Sequence, residues 1–463
     1  MAITSNRSFD YIIVGAGAAG CVLANRLSLN PANSVLLLEA GAASRHWRLR
    51  MPMAAMDRLS QSNRFCWKNW SEPEPNLHGR QIFVPSGKVI GGSSSINGMV
   101  HVRGNPDEFD RWSNQGCEGW DYKSVLPYFK RSETYHGPRN TLRGNDGPLS
   151  VFKTTPTNPL DVAFIESGVQ AGFGFSEDFN GVCQEGFGSY DHSIYQGERV
   201  STATAYLLPA QDRSNLTVES SARVEKIQVE DGRAVAVECR SGLGSYRAFT
   251  SGEIIICAGA IWTPHLLQVS GIGSTDALHH ANINVTHALP AVGNGLQNHI
   301  DVVLQYACKK PVSILNMTRR WSQVVQGIRW FHDRGGYYGT CPFVAGAFFK
   351  SSEDQPFPDI QIIFTPLATE PTSQKPKTIH GFQAHIGLQK FSTAGTVRVG
   401  SAQPGQAPEI RFNLFQEQND QQRLVYAIRH MERVFRQRAF AEFCGARTFP
   451  GPDVQSDDDL KAW

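Results

Sequence analysis

A short apolar run, Ile12-Ile13-Val14, meets Gly15-Ala16-Gly17-Ala18-Ala19-Gly20, after which Val22, Leu23 and Leu27 recur at helical spacing. The pattern predicts a strand, a tight turn and a helix in immediate succession. Ser34 to Leu38 reads as a second buried strand ending in Glu39, so residues 11–39 form one βαβ unit. The three glycines of such a unit do different things. Gly15 permits the turn, Gly17 lets a pyrophosphate approach the backbone, and Gly20 allows the helix to pack on the strand. The helix N-terminus, with Ala18 in its first turn, offers amides and a positive dipole to phosphate. Glu39, followed by Ala40, is placed for ribose hydroxyls. The unit is therefore expected to bind a dinucleotide. NAD and FAD share this fingerprint, and the carboxylate disfavours only NADP.

The rest of the composition narrows the class. At 463 residues the chain needs two or three cores, and 41% hydrophobic with 19% charged residues is the balance of an ordinary globular protein. The 44 basic and 42 acidic residues leave a formal charge of +2, too even for a nucleic-acid partner. Nine cysteines, widely spaced and without a C-x-x-C pair, fit neither a disulfide framework nor a zinc site and read as reduced thiols. His279, His280 and His299 lack partners at ligand spacing, so no metal is expected. No run approaches the roughly 18 apolar residues of a membrane span, and the polar stretch Met1 to Asp10 is no secretory leader. The expected location is the cytoplasm, and the Asn-x-Ser/Thr triplets at Asn6, Asn69, Asn215, Asn284 and Asn316 are read as chance.

Residues 85–104 combine five glycines with Ser93-Ser94-Ser95 and Asn97. That composition suits close passage along an extended ligand, or a surface loop. Here the chain resembles the glucose-methanol-choline (GMC) family of flavin-dependent alcohol oxidoreductases. Three separated stretches carry the resemblance: the N-terminal unit with Ala24 four residues after Gly20; Gly87 to Val100 with Arg103-Gly104 and Phe109-Asp110-Arg111-Trp112; and Gly259 to Gly273. Val292 to His299 follows in the family's order.

The resemblance implies an α/β fold, with a Rossmann-like FAD-binding domain at 1–150 and 198–303 and a substrate domain at 151–197 and 304–450. It implies that Gly92 and the segment Asn97, Gly98, Met99 and Val100 lie along the flavin, and that the Val224 backbone meets the adenine, although Val224 also reads as a core strand residue. Some members attach flavin through a histidine at the position of Ile96; isoleucine cannot do so, and the FAD is expected to be non-covalent. The partners implied are a small alcohol and an electron acceptor such as oxygen, a quinone or another carrier. The family's catalytic histidine, and the histidine or asparagine after it, follow an acidic stretch resembling Asp457 to Trp463, where residues 451–463 start a last FAD-domain segment. This sequence stops at Trp463, so its catalytic pair is not identified, and it reads as a piece of a longer enzyme or as a shortened, inactive form. An NAD-dependent dehydrogenase is the competing function.

Elsewhere Asp359 to Phe364, His385 to Gln389 and Thr396 to Val399 read as strands of an antiparallel sheet. Leu424, Ala427, Ile428, Met431, Val434 and Phe435 mark an amphipathic helix, with Arg423, Arg429, Arg433 and Arg436 expected to face water. His265 reads as a loop or helix-face residue near Pro264, where a helix is expected to start, and not as a base. No G-x-S-x-G nucleophile elbow is present.

Overall fold

The apolar runs Ile12–Val14 and Val35–Leu38 become neighbouring parallel strands buried on both faces, with Tyr11 opposite Val35 and Val14 opposite Leu38. In the computed structural model, which describes residues 7–463 except 44–45, 56–58, 371–374 and 404, these strands centre a six-stranded sheet. Its order is Leu216–Ser220, Val35–Glu39, Arg7–Val14, Gly244–Ile256, Arg233–Ser241, Arg223–Glu230. The first four strands run parallel and the last two return as antiparallel hairpins. Gly244–Ile256 is thus the seam, parallel to Arg7–Val14 on one edge and antiparallel to Arg233–Ser241 on the other.

A second six-stranded sheet is antiparallel throughout, in the order Cys444–Phe449, Asp301–Cys308, Gly381–Leu388, Ile360–Thr365, Ala345–Phe349, Gly186–Ser189. Side chains on a strand alternate between faces. Ile360, Ile362 and Phe364, with Phe382, Ala384 and Ile386, join one core with residues of the helices Pro159–Gln170 and Gln418–Phe435. The alternate residues Gln361, Ile363 and Thr365, with Gln383, His385 and Gly387, line a cavity on the opposite face. Each large side chain in that core contributes about 1.5–3 kcal/mol of apolar burial.

Two expectations are corrected here. Pro264 does not begin a helix but lies inside Gly259–Val269; five residues precede it, so its missing amide leaves the Ala260 carbonyl without the i+4 donor a helix would give it. Arg423 does not simply face water: it pairs with Asp359 at 2.7 Å and Asp420 at 3.1 Å, both carboxylates being buried. Arg429 likewise bonds Glu432 and Asp457. The Thr396 region is a strand, Gly395–Arg398, but of a separate three-stranded sheet.

Two buried polar features stand apart. Arg143, 1% exposed, pairs with Glu133 at 2.9 Å, Asp178 at 2.8 Å and Asp191 at 2.7 Å, above the Tyr135 ring. Burial opposes ionisation of Glu133, yet the bonds from His101 and Arg143 and the charges of Arg143 and Arg103 take its carboxyl down to about 2. Asp161, in the first turn of Pro159–Gln170, is 2% exposed, its Oδ1 has no hydrogen-bond partner, and burial pushes its carboxyl up to about 8.

Candidate active site

The turn after Arg7–Val14 is built around a neighbour distant in sequence. Gly15 has φ +100°, and a Cβ there would stand 2.6 Å from the carbonyl oxygen of Cys257, which follows the seam strand. On the helix Ala18–Leu27, a Cβ on Gly20 would stand 2.0 Å from the Gly15 oxygen. Gly17 differs: the nearest atom to its Cβ position is Cys257 O at 3.7 Å. Protein packing therefore accounts for Gly15 and Gly20, whereas Gly17 borders open space. It caps the helix with no side-chain acceptor, which leaves first-turn amides for a ligand phosphate.

That space is a cavity of about 510 Å³ whose walls include Gly15, Gly17, Ala18, Glu39, Ala40, Gly92 and Val224. Seven of the residues picked from the sequence are thus brought together, while Gly20 serves helix packing. Glu39 is 5% exposed and accepts from the backbone N–H of Ala16 at 3.0 Å and of Gly41 at 2.7 Å. Burial raises its carboxyl above the usual range, and these two bonds work against the rise. Unanticipated walls are Trp67, Arg223 and Trp262. The two indoles lie 4.3 Å apart, and the Arg223 guanidinium sits over both, at 5.4 and 5.3 Å. His265 also faces this cavity from within its helix and is 4% exposed; burial lowers its imidazole to about 4.

A second cavity, of about 520 Å³, is lined by Asn97, Gly98, Met99 and Val100, together with His299, Asp301, Phe343 and the polar face of the antiparallel sheet. Between the cavities runs the turn Gly92–Ser95, where a Cβ on Gly92 would stand 2.7 Å from the Cα of Gly17. The Asn97 Oδ1 accepts from Met99 N at 3.1 Å and from Arg199 Nη1 at 2.6 Å, so its amide N–H group remains to donate toward the cavity. Arg199 is 3% exposed with Nε and Nη2 unpartnered, and burial lowers its guanidinium to about 10. Met99 holds a left-handed φ of +61°, the kind of strained backbone that gathers at functional sites. Ile96 points away, into a cluster with Leu49, Phe65 and Trp330.

Asp301 is the one carboxylate among these lining residues, and no lysine or arginine accompanies it. It forms a short bond with His385 Nδ1. Its side chain is 49% exposed at the cavity rim; partial desolvation opposes its ionisation, but the His385 charge and bond hold the Asp301 carboxyl below its ordinary value. Partial desolvation lowers the imidazole of His299, an exposed residue, against a bond with the Gln389 backbone. The sequence marked His299 only as a poor metal ligand; the alternation of Gln361, Ile363 and Thr365 with core residues was the available signal for this wall.

Two adjoining cavities, one at a phosphate-binding turn and one beside a glycine-rich strip, fit an extended dinucleotide reaching from its adenosine end to its redox ring. Comparisons with known proteins agree. The GMC oxidoreductase family matches at residues 9–301 with one model and 391–463 with another. An oxygen-dependent choline dehydrogenase of Photobacterium profundum is 40% identical over 460 residues, 99% of this chain and 81% of that protein. Its counterpart in Staphylococcus aureus is 38% identical over 462 residues, with the same coverage. Among solved structures, pyridoxine 4-oxidase from Mesorbium loti superposes with a TM-score of 0.86 at 26% identity, covering 98% of this chain and 85% of that one. Formate oxidase, at 23% identity, shares the fold with a TM-score of 0.91, covering 99% and 86%. Among the described residues no helix is long and apolar enough to cross a membrane. The chain belongs to the GMC oxidoreductases, FAD-dependent enzymes that act on CH–OH donors.

Proposed function

We propose that this protein oxidises a small alcohol bearing a positively charged ammonium group, of the choline class, with FAD held non-covalently across the two cavities. The observation that carries the substrate class is Asp301, the one carboxylate on a cavity wall that has no lysine or arginine and only His385 beside it; the curated relatives' names agree with it. A permanent cation is drawn to such a carboxylate and to the face of Phe343, which lines the same cavity. The flavin, when bound, accepts a hydride from the alcohol carbon. Gly15, Gly17, Ala18 and Gly20 shape the pyrophosphate turn, Glu39 and Ala40 take the ribose side, and Val224 meets the adenine in the cavity that Trp67 and Trp262 also line. Gly92 lets the ligand pass to the second cavity, where Asn97, Gly98, Met99 and Val100 border the ring. Asp301 orients the cation, His385 holds the Asp301 carboxylate, and the imidazole of His299 lies in the same chamber. On this reading the FAD unit takes residues 1–150 and 198–303 and the substrate unit 151–197 and 304–450.

Choline against its uncharged isostere 3,3-dimethylbutan-1-ol is the test. Asp301→Asn should raise KM for choline by roughly two- to fivefold, as loss of a partly exposed charge pair does, and should leave KM for the isostere nearly unchanged. Equal effects on both alcohols would remove the cation from the proposal.

A further inference from the structure

The helix Arg320–Asp333 carries its apolar side outward. Trp321 is 83% exposed, Ile328 66%, Val325 59%, Phe331 54% and Val324 52%. Only Trp330 is buried: its indole N–H donates to Gly197 O at 2.7 Å, and its ring packs in the cluster that contains Leu49, Phe65 and Ile96. At about 100° per residue, the five exposed side chains span an arc of roughly 120°, Trp330 lies on the far side, and Arg320 and Arg329 stand at the two edges of the arc. Trp47, on the neighbouring short helix Trp47–Arg50, meets the Phe331 ring edge-on at 5.5 Å and extends the patch.

The rim chooses among occupants. Arg319, Arg320 and Arg329 are exposed and make no ion pair among the described residues. The helix's one carboxylate, Asp333, lies further round toward the protein body and accepts from Gly335 N at 2.7 Å. A second copy related by a two-fold axis would meet the patch with an identical patch, setting arginine against arginine. An anionic surface meets the same rim with opposite charge. Tryptophan, phenylalanine and branched aliphatics on one side, with arginines at the edge, are the composition of a helix lying in a lipid headgroup layer.

We propose that this helix seats the enzyme on an anionic lipid bilayer, with Trp321, Val325 and Ile328 in the acyl boundary and Arg319, Arg320 and Arg329 on headgroup phosphates. At 14 residues it lies on the bilayer and does not span it. Its buried side packs on Ile96, whose neighbour Asn97 lines the second cavity, so the seat is on the flavin-ring side of the molecule.

Sedimentation of the holoenzyme with vesicles tests this. The protein should co-sediment with phosphatidylglycerol–phosphatidylcholine vesicles, bind phosphatidylcholine alone only weakly, and release as salt is raised. Val325→Glu combined with Ile328→Glu should lower partitioning at least tenfold. Arg320→Gln and Arg329→Gln should each lower it about fivefold on the anionic vesicles only, the equivalent of one basic residue near a charged membrane. Flavin content and melting temperature should stay as in the parent, showing intact folds. Absence of vesicle binding, or equal binding by parent and the double variant, would overturn the proposal. So would a dimer in solution that the double variant converts to monomer, which would give the face to a second copy.

Discussion

Replacing Gly17 by valine puts a branched side chain into the first cavity. Gly17 has φ −74° and ψ −163°, an extended conformation open to any residue, and the nearest atom to an added Cβ is 3.7 Å away. The cofactor-free protein therefore meets no clash at the added Cβ and should lose only the poorer helix N-cap that valine makes, about 0.5–1 kcal/mol. The ligand bears the larger effect. FAD at a hundred times its Kd stabilises the native state by about 2.7 kcal/mol, and the variant should forfeit that gain. Gly20→Ala should act in the opposite way. Its Cβ would stand 2.0 Å from a backbone oxygen, and an overpacking penalty of about 1–3 kcal/mol or more outweighs the helix-propensity gain of about 1 kcal/mol. Thermal unfolding of cofactor-stripped protein with and without added FAD, together with flavin absorbance after gel filtration, separates the two. A Gly17→Val protein that keeps its flavin and its FAD-induced shift would refute the pyrophosphate assignment; a Gly20→Ala protein with undiminished cofactor-free stability would refute the packing argument.

Acid precipitation should leave all the yellow chromophore in the supernatant, because Ile96 has no nucleophilic atom and points into a core cluster; flavin in the pellet, traced to a peptide of this segment, would contradict this. Asp161 keeps its proton in the native state up to about pH 8 but loses it near 3.8 when unfolded. Stability should therefore fall as pH rises between those values, with a slope approaching about 1.4 kcal/mol per pH unit, and be flat below them. Asp161→Asn should abolish that slope, as denaturant titrations across the range will show. Arg143→Met strands Glu133, Asp178 and Asp191 without their shared cation, and chemical denaturation should register a loss of about 3–5 kcal/mol; a neutral result would show that the network is not what holds this region.

The phosphate turn was legible because its signal is local: periodicity around Gly15, Gly17 and Gly20 needs only residues 11–39. The strand-like runs Asp359 to Phe364 and His385 to Gln389 were legible for the same reason and fall on neighbouring antiparallel strands, whereas the membership of the Thr396 strand in another sheet was not. What surrounds the ligand was not. Trp67, Arg223 and Trp262 come from three distant segments, and no spacing relates them until the sheet exists. Asp301 and His385 meet because Asp301–Cys308 pairs with Gly381–Leu388, in a register that places Asp301 opposite Gly387, and register is a tertiary property. Arg423 followed a helical period that marks which side of a helix turns outward but not which carboxylates wait there.

The seam strand has a consequence for how the protein is born. The carbonyl of Cys257 that closes on Gly15 belongs to a segment the ribosome delivers about 240 residues after the turn it completes, a delay of roughly 12–50 s at ordinary elongation rates. During that interval Arg7–Val14 and Val35–Glu39 can pair with each other, yet one edge of Arg7–Val14 stays open to any passing strand. The nascent chain thus carries a half-made nucleotide pocket with an unpaired sheet edge, and cofactor capture becomes an event of late synthesis. A ribosome-arrested series should first retain FAD only after residue 257 has cleared the exit tunnel.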